Sequence, residues 1–246
     1  MDRERRAVLK ATGLLGGTAL LGGATGVVGP TVAQEVDTEL PPGVVLFDLD
    51  GDGEYDAEVE AAPESMRGGD RTRPIHVTSR GRATVDYAAS VVRPEGEVSL
   101  GDLDRLAYDR YRGPEDGSGE GDAADETFLV VENDDGRHGM YLTDETDPGS
   151  EEWQTSDVLA RVNGNTGGTS GWFEYTEIED GYEGQTFDDA VARFGSEARL
   201  VRVGVGHGNA VTPTVLDAFF ANLVVGGQRY EFPTSVARRA SGANPV

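Results

Sequence analysis

Five carboxylates fall within nine residues at Asp48, Asp50, Asp52, Glu54 and Asp56, with Gly51 and Gly53 among them. Carboxylates at positions 1, 3, 5 and 9 with glycine at position 6 match the opening of a calcium loop. That spacing lets the backbone curl until alternate side chains converge on one hard cation. Position 12, where a bidentate glutamate belongs, is Val59, although Glu58 and Glu60 flank it. No helix-forming pattern leads into the loop, since Pro41-Pro42-Gly43 and a short apolar run precede it. The residues alone leave two readings: a calcium site, or an acidic turn between strands at 44–47 and 57–61.

A second kind of chemistry attaches to Glu177 and Glu179. On a strand, residues i and i+2 share a face about 6.5–7 Å apart. Converging carboxylates at roughly 5.5 Å can carry retaining glycoside hydrolysis. In a chain with 45 acidic residues such spacing also arises by chance, so no catalytic residue is assigned and this pair stands as the alternative. Trp153, Trp172, Tyr175 and Tyr182 offer aromatic faces on which the apolar faces of sugar rings can stack. Strand alternation puts Trp172 and Tyr175 on opposite faces, so at least one of them belongs to a core.

The three histidines, His76, His138 and His207, are too scattered for a metal site or a Ser/His/Asp triad. His76 reads as structural and His138 as exposed beside a turn. Gly204-Val205-Gly206-His207-Gly208 looks like a phosphate loop, but no helix follows to supply the amide dipoles. It reads as a turn at the end of a strand.

Charge narrows the function classes. There are 45 acidic against 21 basic residues, a net charge of −24, and Lys10 is the only lysine. A nucleic-acid backbone would meet no basic stripe, which excludes that partner class. No cysteine is present, which removes disulfides, thiol catalysis and zinc-thiolate sites. Arg5-Arg6, then Val8-Leu9-Lys10 and a Gly/Ala/Leu-rich stretch, form a twin-arginine export pattern with a small-residue cleavage site at Thr31-Val32-Ala33. The stretch is short for a membrane span, so residues 1–33 are expected to be removed rather than kept as an anchor. The acidic excess, the near absence of lysine and this signal together resemble secreted proteins of extremely halophilic archaea, where multimolar salt screens self-repulsion. The expected location is extracellular or at the cell surface.

The elements that must position these groups are mostly short strands. Residues 34–43 read as an exposed leader and 63–82 as a loop-rich basic segment. Strands are expected at 83–92, 107–111, 128–132, 139–142, 172–178, 200–205, 215–225 and 228–232, with a turn at Asn133-Asp134-Asp135-Gly136. Residues 113–126 read as a flexible acidic loop. One short helix is expected at 186–194, with Thr186 as N-cap, Asp188 and Asp189 in its first turn, and Phe187, Val191 and Phe194 on one face. About 210 residues after the signal suit one domain. The expected division is 1–33 signal, 34–62 an N-terminal segment packed on the sandwich, 63–232 the sandwich, and 233–246 a flexible tail.

From about residue 98 to 232 the order of features resembles a family of secreted β-jelly-roll domains of the concanavalin A/laminin G type. The residues are SLGDLDRLAYDRY, TFLVVENDDGRHGMYL, the Trp153 segment, Gly171-Trp172-Phe173, TFDDAVARFG, RLVRVGVGHGN and FFANLVVGGQRYEF. Family members end on Asp-Asn-Val/Leu and then Tyr-x-Phe; here Ala221 replaces that aspartate while Tyr230-Glu231-Phe232 is kept. The resemblance implies an all-β antiparallel sandwich and association with extracellular glycan or surface material. Jelly-roll glucanases carry carboxylates as Glu-x-Asp-x-x-Glu, a pattern absent around Glu177. The expectation is thus an exported, non-catalytic β-sandwich that binds glycan, with calcium adding stability. The alternatives are a glycoside hydrolase or lyase using Glu177 and Glu179, and a structural envelope protein.

Overall fold

A computed structural model describes residues 38–117, 124–144, 151–163, 173–175, 186–208 and 213–241. They build two stacked sheets. One has seven strands in the order β13 (Val236–Ser241), β1 (Gly43–Asp48), β4 (Tyr87–Val92), β10 (Arg199–Gly208), β6 (Ala124–Asn133), β7 (Gly136–Asp144) and β9 (Phe173–Tyr175). The other runs β2 (Glu58–Ala61), β3 (Ile75–Thr84), β11 (Thr214–Val225), β5 (Leu106–Arg112) and β8 (Gln154–Asp157), with β12 (Gln228–Tyr230) also paired to β11. Every pairing is antiparallel except β13 on β1. The all-β antiparallel sandwich expected from the strand pattern is what the chain forms.

The core follows from alternation. Leu200, Val203 and Val205 of β10 face Ile75 and Val77 of β3 and Leu216 and Phe220 of β11 in one buried cluster between the sheets. The opposite face of the seven-stranded sheet buries a second cluster built on Val45, Phe47, Tyr87, Val91 and Phe128. All six residues of β4 are buried, and its one polar side chain inside the strand, Ser90, donates to the Pro233 carbonyl.

Gly204 and Gly206 form no turn, and Gly208 is the last residue of the strand. They run through β10, and a Cβ at Gly204 or Gly206 would overlap the Phe128 or Tyr87 ring. The glycines are spaces for aromatic rings of the second cluster, and the strand passes without a turn. His207, between them, points the other way and is fully buried.

Other boundaries moved for physical reasons. Residues 83–92 are not one strand: Ala83 and Thr84 end β3, and the chain crosses at Val85-Asp86 into the other sheet as β4. The last part of the segment expected as loop at 63–82, from Ile75 on, belongs to the ten-residue β3, whose exposed positions are Arg80, Gly81, Arg82 and Ala83. Leu40 in the expected exposed leader is fully buried in the second cluster. Within 233–246, Val236–Ser241 forms β13, the parallel edge strand on β1. His138 is not exposed; its ring stacks on Phe194 at 4.9 Å and meets Asn133 Oδ1 at 3.0 Å.

Two helices pack at one end. Helix α1 (Val158–Asn163) follows β8 directly and buries Val158 and Leu159. Helix α2 (Phe187–Phe194) has the expected Thr186 cap, completed by Asp189, whose carboxylate accepts from the Thr186 amide. This reciprocal box satisfies two amides that the first turn leaves open. Phe187, Ala190 and Phe194 are its buried face, with Val191 partly buried.

Candidate functional site

The outer face of the six-stranded sheet carries a transverse row of rings. Register pairs Glu60 with His76, His76 with Phe219, and Phe219 with Tyr111. The next strand pairs Gln154 with Arg110, so Trp153 falls beside Tyr111 at the entry to β8. Neighbouring strands lie about 4.8 Å apart, and the ring spacings follow that pitch. His76 and Phe219 stack at 4.1 Å, Phe219 meets Tyr111 edge-on at 5.6 Å, and Tyr111 meets Trp153 at 5.7 Å. Phe219 is nearly covered, whereas His76, Tyr111 and Trp153 are half-buried.

Polar groups border this row on both sides. On one side, Asp217 Oδ1 lies 2.8 Å from His76 Nε2, and Asp217 Oδ2 accepts from the Glu115 amide at 3.2 Å. Glu60 reaches the other ring nitrogen of His76 at 3.4 Å. Gly113 lets this happen, because a Cβ there would overlap the Asp217 carboxylate. On the other side, Asp109 accepts from Thr155 Oγ1 at 2.7 Å, Asn222 Nδ2 at 2.8 Å and Arg71 at 3.4 Å. Arg71 also lies over the Trp153 ring at 4.9 Å, tying the 68–71 turn to the row. Asn222 has φ 55°, a left-handed conformation that asparagine tolerates, where the register between β11 and β5 shifts.

Chemically, this is a surface of fixed donors and acceptors around partly covered aromatic rings. Burial, then the Glu151 and Asp217 carboxylates, push the Tyr111 phenol above its ordinary value, so it stays a neutral hydroxyl. Asp217 and Asp109 are both engaged by nearby donors, which suits them to orient a polar ligand.

The acidic loop lies elsewhere, after β1. Oxygen atoms of Asp48, Asp50 and Asp52 come within 4.8 Å of one another. Asp48 is buried and accepts from Gly51 N at 2.6 Å and Gly53 N at 3.0 Å. Asp50 and Asp52 each accept one amide, from Asp52 and Glu54. Three carboxylates at this separation fit a hard cation with oxygen ligands. Glu54 and Asp56 stand outside the trio, and Asp56 pairs with Arg82 at 2.6 Å. Asp86, at the crossing between sheets, ties the loop down by accepting from Leu49 N and Asp56 N. Burial raises its carboxyl above the usual range; those two amides oppose the shift, and Asp50 and Asp48 add to it.

A third polar cluster is internal. Arg112 continues the inward side of β5 and is buried, with Nη1 2.8 Å from Asp116 and 3.1 Å from His207. His207 Nε2 lies 3.3 Å from Asp116, whose side chain is 1 % exposed. Burial works to raise the Asp116 carboxyl, but His207 and Arg112 outweigh it and hold the group well below the carboxylate range. Asp116 falls in the stretch expected as a flexible acidic loop and instead anchors it to the core. A charge so enclosed needs this pairing.

Of the aromatic residues singled out by sequence, Trp153 belongs to the ring row. Tyr175 lies on β9, at the edge of the seven-stranded sheet, whereas Trp153 precedes β8 of the other sheet. Trp172, Tyr182, Glu177 and Glu179 lie outside the described residues. His76, Tyr111 and Phe219 were missed because they come from three strands distant in sequence. The available signal was that each occupies the outward position of an alternating strand, beside polar outward neighbours.

No protein-family model matches the chain, and no curated protein matches it. Among solved structures, it is similar to CtCBM11, known from a study of its solution structure, dynamics and binding, with 14 % identity and a TM-score of 0.41 over 78 % of this chain and 93 % of that one. It is also similar to an exo-beta-agarase, with 8 % identity and a TM-score of 0.39, over 79 % of this chain and 25 % of that one. A third is CBM28, a carbohydrate-binding module specific for non-crystalline cellulose, with 11 % identity and a TM-score of 0.31, over 74 % of this chain and 98 % of that one.

Proposed function

We propose that the outer face of the six-stranded sheet binds a polysaccharide chain, and that the protein is an exported, salt-adapted, non-catalytic glycan-binding module. The row His76–Phe219–Tyr111–Trp153 carries this reading. It crosses four strand positions, about 14 Å at the strand pitch, which is room for a short run of sugar rings. Sugars present both apolar ring faces and hydroxyl groups. The row supplies aromatic contact, while Asp109, Asn222, Thr155 and Asp217 supply hydrogen-bonding atoms already oriented by one another. The twin-arginine pattern supports export, and the acidic composition supports a high-salt setting. Calcium held by Asp48, Asp50 and Asp52 would stabilise the crossing at Asp86.

The test is retention on insoluble polysaccharides in multimolar salt, scored together with release of reducing ends. The expected result is retention without release, reduced by Trp153→Ala and Tyr111→Ala while the far-UV spectrum stays unchanged. Retention equal in parent and variants would remove the ring row as the binding surface. Release of reducing ends would replace the binding reading with a hydrolase.

A further inference from the structure

Away from the ring row, on the seven-stranded sheet, four arginines (Arg93, Arg137, Arg199 and Arg202) and one carboxylate, the exposed Glu95, line a cleft of about 360 Å³. In a chain of net charge −24 this concentration of positive charge runs against composition. Two of the four are neutralised. Arg199 meets Glu132 at 2.5 Å, and Arg137 meets Glu132 at 3.3 Å and Glu39 at 3.0 Å. The register accounts for this, since Glu132 pairs with Arg199 on one side and Arg137 on the other.

Arg202 and Arg93 differ. Arg202 donates from Nε to the Leu40 carbonyl at 2.9 Å and from Nη1 to the Val201 carbonyl at 2.6 Å. Among the described residues, neither arginine has a carboxylate partner. The register of β10 with β4 ends where Val203 pairs with Val92, and Arg202 and Arg93 follow it, near enough for each charge to act on the other. Two neighbouring guanidinium groups with no carboxylate in direct contact repel. Burial, and then Arg137 and Arg93, make the Arg202 proton easier to lose than usual, while Glu39 and Glu132 oppose the shift.

A β-bulge creates the placement. Leu200 pairs with Val131 and Arg202 with Val130, so two residues of β10 span one step of β6. Leu200 and Val203 both face the inter-sheet core, leaving Val201 and Arg202 together on the outer side. Bulges re-aim side chains in this way. Carbonyl bonds to Leu40 and Val201 then fix the guanidinium, so its orientation is established before any ligand arrives.

We propose that Arg202 and Arg93 form an oxyanion-binding site in this cleft, taking a sulfate or carboxylate group. Planar guanidinium forks match such oxygens in bidentate fashion. Glu39 and Glu132 act on Arg202 from beyond ion-pair distance, and the anion would take the direct contact that neither makes. Two sources share this chemistry: a free inorganic anion, and an acidic unit of a saccharide chain. The site does not depend on what the ring row binds.

The experiment follows the arginine Nε–H resonances of the whole chain by NMR in the salt in which it is folded. Inorganic sulfate, an oligogalacturonate and a neutral oligosaccharide of equal length are titrated separately. The expected result is a saturable shift at Arg202 with sulfate and with the oligogalacturonate, and none with the neutral sugar. Tighter binding of sulfate assigns a free anion, and tighter binding of the oligogalacturonate an acidic chain. Arg93→Gln with Arg202→Gln should weaken binding of either probe by about tenfold or more, as loss of a charge-assisted bond would. Arg93→Lys with Arg202→Lys, which keeps the charge, should retain part of the affinity. A shift with the neutral sugar, no shift with either anion, or unchanged affinity in the glutamine variant would overturn the site.

Discussion

Tyr111 and Trp153 meet with ring centroids 5.7 Å apart and planes inclined by 53°, one at the end of β5 and the other at the entry to β8. The contact is made on the solvent side of the sheet, so it is not part of either buried cluster. Tilted aromatic pairs contribute about 0.5–1.5 kcal/mol beyond their buried area. Trp153→Ala should therefore cost little stability and much retention on polysaccharide. Tyr111→Phe isolates the hydroxyl. Because burial, Glu151 and Asp217 hold the phenol proton on, Tyr111 should ionise above the ordinary value of 10.0. In an alkaline absorbance titration, Tyr111→Phe should remove a late-ionising tyrosine. Loss of an early-ionising one instead would contradict the assigned environment.

Asp116 links the 113–117 turn to the core through Arg112 and His207. Its carboxyl is held below the ordinary 3.8, so the unfolded chain takes up its proton first as pH falls. The stabilisation is complete above pH 3.8 and is lost as pH drops below that value toward the lower folded one. Asp116→Asn should lower stability at neutral pH by about 3–5 kcal/mol, the range for breaking one side of a buried charged pair. The same variant should lose less stability than the parent between neutral and acid pH. Parallel pH–stability curves for the two proteins would remove Asp116 from this role.

Periodicity revealed what periodicity controls. The strand at β10, the capped helix α2 and the hairpin at Asp134-Asp135 were legible because each depends on neighbours within a few residues. The ring row was not, since Phe219 stacks on His76 across 143 positions of chain and is defined only by register. The buried Arg112–Asp116–His207 cluster was hidden by composition. Against so many surface carboxylates, one that is enclosed looks like the rest. Gly204-Val205-Gly206-His207-Gly208 misled for another reason: glycine marks turns, but it also marks places where a ring must pass close to a strand.

That last point is directly testable. Gly206 has the Tyr87 ring where a Cβ would stand, and Gly204 has Phe128 there. Both rings are buried in the second cluster. Gly206→Ala should destabilise the fold by at least the 1–3 kcal/mol typical of overpacking. Gly227, whose Cβ would meet open space, serves as the control, and Gly227→Ala should be close to neutral. Urea unfolding at fixed high salt would separate them. Equal midpoints for the two variants would mean that the aromatic rings can repack.

Asp48, Asp50 and Asp52 make the calcium prediction specific, because Glu54 and Asp56 stand outside the trio. A cation bound only to the folded chain adds about 2.7 kcal/mol when present at a hundredfold over its dissociation constant. It would also offset the repulsion that Asp50 and Asp48 exert on Asp86, steadying the crossing from β3 to β4. Calcium should raise the melting temperature of the parent. Asp50→Asn combined with Asp52→Asn should abolish that increment while changing little in its absence, since both side chains are exposed. Glu54→Gln should keep the increment, which tests the geometry rather than the net charge. If parent and double variant melt alike with and without calcium, the loop is an acidic turn. Its shape would then rest on Gly51 and Gly53, which donate their amides to Asp48.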